Sequence, residues 1–410
     1  MSKRNQINIE KISIFAEGRP QLDLISNQGA MFSSCSIYES IFKQYVSGNI
    51  NIVDSVGMLE NYPIVGDEYI IISFKSSIDR SVKPYTKVFK IFKVDNVQDI
   101  SVKKMQLYTI HFATEIMDDS QKRNLRISFK NQREDQIIKS ICQDNLRINI
   151  ANLDIEPSLY ERTFVIPGWS PLKAIQHFTN TAVYPQNSRA SNFVFYEDRD
   201  GFKFKSLETM MNSESAGTLT TKSMASSEDF EPMNVIEFDI ENYFDNIKNS
   251  QNGLYGSTVR EVDLIEKTVN TYTYTNSSML EPQLKIDEDA FPIRTKIGED
   301  DTNRKIINST NNGNYSNGFN SIPKRLFSLQ QFENYKINAK IIGNTNFVVG
   351  KKVEFDLKSI QRKNTEEKHK YLSGHYLLTD LWHNFTATEH HMMATLRKPS
   401  FKNEIKAGGI

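Results

Sequence analysis

Two stretches near opposite ends of the chain follow one pattern, and that repetition constrains the fold more than any other feature. Near the N-terminus, Pro63-Ile64-Val65-Gly66-Asp67-Glu68-Tyr69-Ile70-Ile71-Ile72 is followed by Val88-Phe89-Lys90-Ile91-Phe92-Lys93-Val94 and by Tyr108-Thr109-Ile110-His111-Phe112. Near the C-terminus, Phe347-Val348-Val349-Gly350-Lys351-Lys352-Val353-Glu354-Phe355 is followed by Tyr376-Leu377-Leu378-Thr379-Asp380-Leu381 and by His391-Met392-Met393-Ala394-Thr395-Leu396. Each set reads as a Val-Gly strand and two further strands. Two readings stand: a chain holding two copies of one β-domain, or two unrelated meanders that look alike because all strands share period 2. Under the first reading, three chains would offer six similar positions around a ring.

The length of 410 residues suggests about two to four domains with room for sizeable cores. Lys and Arg number 50, and so do Asp and Glu, which argues against a protein that wraps nucleic acid and would need a basic excess. Hydrophobic content of 38% beside 25 Phe and 17 Tyr reads as β-rich, with much polar or partner-covered surface. The two cysteines, Cys35 and Cys142, are far apart, indicate neither a disulfide framework nor a zinc knuckle, and suit a reducing cytoplasm. Met1-Ser2-Lys3-Arg4-Asn5-Gln6 opens basic but leads into no apolar stretch of signal length, and no apolar run is long enough to span a bilayer.

Residues 7–118 read as an antiparallel β-domain, with alternation at 7–14, 35–38, 48–53 and 69–74 and one helical turn at 57–63 stopped by Pro63. From 119 to 231 the pattern is mixed. Asn131-Gln132-Arg133-Glu134 fits a helix N-cap before Ile137, Ile138 and Ile141, and Ser170-Pro171 starts a second helix carrying Leu172, Ile175 and Phe178. Phe193-Val194-Phe195-Tyr196 and Phe202-Lys203-Phe204-Lys205 flank a turn at Asp198-Arg199-Asp200-Gly201, which predicts a hairpin. Residues 206–231 read as a polar connector. A second β-domain is expected over 232–400, with strands at 234–240 and along 256–275 on a twisted or bulged path. Asn-rich 299–320 is read as a loop insertion and 329–335 as a short helix after Pro323. Residues 401–410 read as a tail.

The search for chemistry returns mostly negatives. No phosphate-binding, dinucleotide, zincin or nucleophile-elbow motif occurs. His369, His375, His383, His390 and His391 cluster late, but without the close spacing of metal ligands, and read as ordinary histidines. Asp198 with Asp200, and Glu237 with Asp239, are carboxylate pairs of the type a glycosidase needs, but they read as solvated turn or strand-edge acids. Cys142 reads as a core residue, and Trp169 and Trp382 as core or interface anchors. No catalytic, cofactor or metal residue is assigned.

Passages in three regions of the chain carry a resemblance. Ser36-Ile37-Tyr38-Glu39-Ser40-Ile41-Phe42, Ser47-Gly48-Asn49-Ile50-Asn51-Ile52-Val53-Asp54 and Pro63 to Glu68 resemble the opening domain of the baseplate hub of contractile phage tails, of the T-even type. Ile166-Pro167-Gly168-Trp169-Ser170-Pro171 with its helix and aromatic hairpin resembles that family's second domain. Phe347-Val348-Val349-Gly350 and Ser373-Gly374-His375-Tyr376-Leu377-Leu378-Thr379-Asp380 resemble its second ring domain, as in VgrG proteins of type VI secretion.

The resemblance implies a β-rich α+β chain with two similar barrel-like ring domains and a mixed middle domain, assembled as a homotrimeric, pseudo-hexameric ring. That ring would be a non-enzymatic part of the virion tail baseplate, assembled in the host cytoplasm. Its partners would be a separate central spike, tail tube or tube-initiator proteins, the tape measure and baseplate wedge proteins. DNA would pass through only in transit, and no stable membrane association or cofactor is implied. Val65, Gly66, Tyr69, Val349, Gly350 and Val353 mark the ring strands. Two other functions remain as alternatives: a tail peptidoglycan hydrolase, and a peripheral receptor-binding module using Phe193, Phe195, Phe202 and Phe204.

Overall fold

A computed structural model describes residues 7–26, 29–76, 83–100, 104–186, 191–221, 235–242, 245–264, 266–275, 286, 291–292, 305–311, 318–359 and 368–402. Most of its strands pair antiparallel.

The N-terminal half contains β1 (Ile7–Phe15), β2 (Leu22–Asp23), β3 (Ile25–Ser26), β4 (Gly29–Ala30), β5 (Phe32–Ser40), β6 (Ser47–Asp54), β7 (Tyr69–Ser76), β8 (Tyr85–Ile100) and β9 (Met105–Ala113). Alternation drives it. Along β6 every second residue is buried, from Gly48 through Ile50 and Ile52 to Asp54. Gly48 has no room for a side chain, since a Cβ there would meet the Ser36 carbonyl and the Phe112 ring. The expected helical turn is α1 (Met58–Asn61), and the Asp54 carboxylate accepts from the backbone N–H groups of Val56, Gly57 and Met58 at 2.9, 2.9 and 2.5 Å, which satisfies its free amides.

The middle region holds α2 (Glu115–Gln121), β10 (Ser128–Arg133), α3 (Glu134–Ser140), β11 (Leu153–Ile155), β12 (Glu161–Val165), α4 (Pro171–Thr181), β13 (Phe193–Asp198), β14 (Gly201–Ser206) and α5 (Leu207–Met211). Its core gathers Ile137, Ile138, Ile141, Cys142, Ile175, Phe178, Phe193 and Phe204. Helix α4 starts at Pro171 as the sequence predicts. Ser170 makes no capping bond, however, and Ser120 Oγ accepts from the Leu172 N–H at 3.1 Å instead. Asn131, expected to cap the start of α3, instead has a φ of 51° where the β10–β12 register shifts, and α3 begins three residues later. Asparagine tolerates that left-handed conformation, which explains the difference.

The C-terminal half comprises β15 (Ser215–Thr220), β16 (Val235–Asn242), α6 (Asn246–Gln251), β17 (Gly256–Asp263), β18 (Thr268–Thr275), β19 (Phe291–Pro292), β20 (Lys305–Asn311), α7 (Gly318–Asn334), β21 (Lys336–Ile342), β22 (Lys352–Asp356), β23 (Gly374–Phe385), β24 (His390–Arg397) and β25 (Ser400–Phe401). Several expectations are corrected here. The supposed connector is α5 and β15, because β15 finds a partner distant in sequence, pairing parallel with β22; residues 222–231 lie outside the described set. Residues 256–275 are not one bulged strand but a hairpin, β17 with β18. Within the Asn-rich segment, 305–311 form β20, parallel to β17, since Ile306 and Ile307 supply strand propensity amid the polar residues; 299–304 and 312–317 lie outside the described residues. The short helix expected at 329–335 is the end of the longer α7, which contains Pro323 and is held by buried Phe327 and Phe332. Residues 403–410 of the tail also lie outside the described set.

Both Val-Gly pairs occupy turns that enter strands, not strands themselves. Gly66 has a φ of 103° and Gly350 one of 82°, a conformation open to glycine at little cost. The first turn is tied by the Glu68 carboxylate, which accepts from the Val65 and Gly66 N–H groups at 3.0 and 2.8 Å.

One thirteen-stranded sheet unites the two halves, with main order β16-β21-β24-β23-β5-β6-β9-β8-β7-β1-β2 and with β22 and β15 branching from β23. In the N-terminal half the run is β1-β7-β8-β9-β6-β5, and in the C-terminal half it is β15-β22-β23-β24-β21-β16. Numbered in chain order among the six strands of each run, both runs read first, fourth, fifth, sixth, third, second.

Candidate functional site

The repeated order extends to residue register. Lys90 stands opposite Tyr69 and Ala113, and Leu377 stands opposite Lys352 and Arg397. One residue on, each ladder shifts, between Ile91 and Lys93 in β8 and between Leu378 and Asp380 in β23. The flanking bonds match as well: Ile91 N–H donates to Glu68 O at 3.0 Å and Leu378 N–H to Lys351 O at 2.9 Å. Thr114 N–H donates to Val46 O and Lys398 N–H to Tyr335 O, at 3.0 and 3.4 Å. Lys93 therefore corresponds to Asp380, and Asp95 to Trp382.

The bulge has a local purpose at β23. Before it, β23 pairs with β22; after it, Asp380 through Phe385 pair with Ser40 through Cys35 of β5. This seam joins the halves edge to edge. Ser40 Oγ donates to Asp380 Oδ1 at 2.6 Å, and Trp382 packs its ring on Tyr38 at 5.5 Å between centroids. Side chains also cross it: Ile41 is buried in the C-terminal core and Phe385 in the N-terminal core, 4.6 Å from Phe74.

Beneath the seam lies a buried polar cluster. Lys87 Nζ donates to Glu197 Oε1 and to the Asp198 carbonyl, both at 2.6 Å, and Thr114 Oγ1 donates to Glu197 Oε2 at 2.5 Å. These bonds lock the tip of β13 onto the N-terminal sheet. Glu39, buried in β5, has its carboxyl pushed up to about 7 by burial, with Lys87 opposing and Asp198 and Glu197 adding to the rise. Across the seam, His383 Nδ1 and His390 Nε2 lie 3.2 Å apart, both rings buried. Burial drives His383 down to about 3 and His390 well below the ordinary imidazole range, so both rings are neutral.

The six marker residues separate in this geometry. Val65 is 67% exposed, whereas Val349 and Val353 are buried in the C-terminal core. Tyr69 is half-buried on β7, its hydroxyl donating to Glu115 at 2.8 Å and Lys90 lying 4.4 Å over its ring. Gly350 abuts the Tyr196 hydroxyl and Met210, while Gly66 faces open space.

Other candidates resolve into structural parts. Asp198 accepts from the Asp200 and Gly201 N–H groups at 2.8 and 3.1 Å and pairs with Lys203, forming the hairpin turn. Cys35 and Cys142 are buried thiols raised by desolvation. Trp169 stacks among Phe164 and His177. Phe193 lies on Phe204 at 4.5 Å and Phe195 on Phe202 at 6.1 Å, packed in or against the middle core rather than lining a groove. Among the described residues no group of three or more metal-ligating side chains converges, and no helix is long and apolar enough to cross a membrane.

What sequence reading missed is the seam itself. The nearest signal was the aromatic and apolar content of Tyr38 and Trp382 on strands whose partners periodicity cannot identify.

The second half of β8 contrasts with its counterpart. Opposite β9, the other edge of β8 beyond Ile91 has no strand partner among the described residues, and the outer edge of β16 has none either. Phe92 is 50% and Val97 55% exposed on the first edge, and Ile236 is exposed on the second.

No family model matches the chain. Among curated proteins, the probable baseplate hub protein gp334 of Vibrio phage KVP40 is 25% identical over 383 residues, covering 88% of this chain and 88% of that protein. Among solved structures, the tail protein from Neisseria meningitidis MC58 aligns with a TM-score of 0.59 at 12% identity, over 95% of this chain and 96% of that one. The 43 kDa tail protein of prophage MuSo2 from Shewanella oneidensis gives 0.59 at 10% identity, over 95% and 98%. The hub-like passages of the sequence thus meet a relative that carries the hub name, and the fold is one found in tail proteins.

Proposed function

We propose that this chain is the baseplate hub of a contractile phage tail, a non-enzymatic part that forms a trimeric, pseudo-hexameric ring. The ring joins the six-fold tail tube to a three-fold central spike and surrounds the channel for tape measure and DNA. The observation that carries this reading is the repeated strand order and register: three chains, each holding two halves of like register, offer six like positions on one side and three identical ones on the other. The similarity to gp334 supports the assignment to a hub.

In this reading residues 1–118 and 232–400 supply the ring, with β15 added to the second half, and 119–231 supply the middle domain. The spike, tube or tube-initiator proteins, tape measure and wedge proteins are its partners, and the particle is built in the host cytoplasm. Equal numbers of acidic and basic residues suit a channel that must let DNA pass, because a basic lining would hold phosphates.

Light scattering on the purified chain, alone and with its trimeric spike, tests this. A mass of three chains in either condition is expected. A chain that stays monomeric in both overturns the hub reading.

A further inference from the structure

The sheet join inside the chain has a missing counterpart. Within one chain, β5 of the first half pairs with the second part of β23 in the second half. By register, β5 corresponds to β16, and β23 corresponds to β8. Each of those two strands carries an edge that has no strand partner among the described residues, as do β2 and β15 at the rim of the sheet. We propose that β16 of one copy adds antiparallel to β8 of the next, repeating between chains the seam found within one; this rests on the ring reading above and names its interface.

The register follows from the ladders. Tyr38 and Asn242 correspond, because they stand opposite Ser47 and Lys336, which in turn stand opposite Ala113 and Arg397. Likewise Ser36 corresponds to Asp239 and Cys35 to Phe238. On the other strand Asp95, Gln98 and Asp99 correspond to Trp382, Asn384 and Phe385. Since Trp382, Asn384 and Phe385 face Tyr38, Ser36 and Cys35, the joint between chains sets Asp95 opposite Asn242, Gln98 opposite Asp239 and Asp99 opposite Phe238.

The two strands fit this joint. All three pairings keep one constant register, so the extra residues at the bulges of β8 and β16 cancel. None sets like charges directly opposite, which would destabilise a strand pair. The same register leaves exposed Val97 against half-buried Ile240. An open edge bearing Phe92 and Val97 is a template for strand addition and is rarely left bare. The joint is head-to-tail, so it closes into a ring or runs on as a filament, according to the rotation it imposes.

The test is a cysteine pair in the full chain, Gln98→Cys with Asp239→Cys, oxidised and run without reductant; native Cys35 and Cys142 are buried and silent. A covalent band of three chains that goes no further, absent from either single variant, is expected. The off-register pair Gln98→Cys with Glu241→Cys should cross-link far less. A second variant, Val97→Lys, should keep the circular dichroism spectrum and raise the trimer dissociation constant about tenfold or more. A wild-type trimer whose cysteine pair does not cross-link, with Val97→Lys still trimeric, overturns the interface and leaves the hub reading standing. A ladder beyond three chains supports the strand joint but overturns the three-fold ring. A wild-type chain monomeric at all concentrations, alone and with the spike, overturns both.

Discussion

The two halves of the sheet share strand order and register but are assembled from different materials. In the first half the strand that opens the run, β1, comes from the same half and is antiparallel to β7; in the second, β15 arrives from the middle region and pairs parallel with β22. In the first half β5 and β6 are separated only by residues 41–46, whereas between β16 and β21 the chain inserts 243–335, including a three-stranded sheet and α7. The inner strands keep their register through all this because a one-residue slip would turn their buried faces to solvent. An outer strand has no such constraint on direction. The shared part of the fold is therefore set by the ladder, and the divergent part by what lies at its rim.

The largest effect expected from attacking this relation is at Phe385, the side chain that the second half places in the first half's core. Phe385→Ala should cost about 3–5 kcal/mol, the usual range for emptying a buried aromatic site, and should split thermal unfolding into two transitions in calorimetry. A single transition at an unchanged midpoint would show that the halves are not coupled there.

The equivalent turns give a sharper contrast. Gly66→Ala and Gly350→Ala each meet a positive φ, which costs about 1 kcal/mol by itself. Only at Gly350 would a Cβ also collide, with the Tyr196 hydroxyl. Urea titration should show Gly350→Ala less stable than Gly66→Ala by about 1–3 kcal/mol, the range for overpacking a filled site. Equal losses would mean that Tyr196 yields without cost.

The last contrast is in pH. Glu39, in the first half, titrates near 7 when folded against an ordinary 4.5, so the penalty for burying its charge is full above about pH 7 and fades as pH falls toward 4.5. Glu39→Gln should therefore raise the melting temperature at pH 8, with the gain vanishing toward pH 4.5. His383, in the second half, has the opposite sign. Its ring stays neutral in the fold down to about 3, while the unfolded ring gains a proton below about 6.5, so stability falls across that window in wild type and variant alike. A Glu39→Gln gain that persists at pH 4.5 would place its cause in packing instead of charge.

Strands and hairpins were legible wherever burial alternates, as in β6, or where a turn sequence such as 198–201 dictates the bend. The likeness of the two ends was visible too, though alternation left it open whether it meant repetition. Strands whose partners lie far along the chain were not legible. β15 and β20 are rich in Ser, Thr and Asn, and it is pairing with parallel neighbours, helped in β20 by Ile306 and Ile307, that makes strands of them. The marker residues Val65 and Val349 looked alike in sequence, yet one lies in solvent and the other in the core, because burial depends on what the middle region packs against them. Trp382 was legible as an anchor. Its partner Tyr38 was not, since no local pattern links residues so far apart.

The exchange of Ile41 and Phe385 across the seam also bears on how the chain is made. The first half is synthesised early, but its β5 edge has no covering strand, and its core lacks one aromatic ring, until residues 380–385 leave the ribosome. Folding around β5 is thus completed by a strand 340 residues further along the chain, a pairing of long loop closure and slow formation. Until then the bare β5 edge is a template for strand addition of the same kind as the edge through which two copies would join.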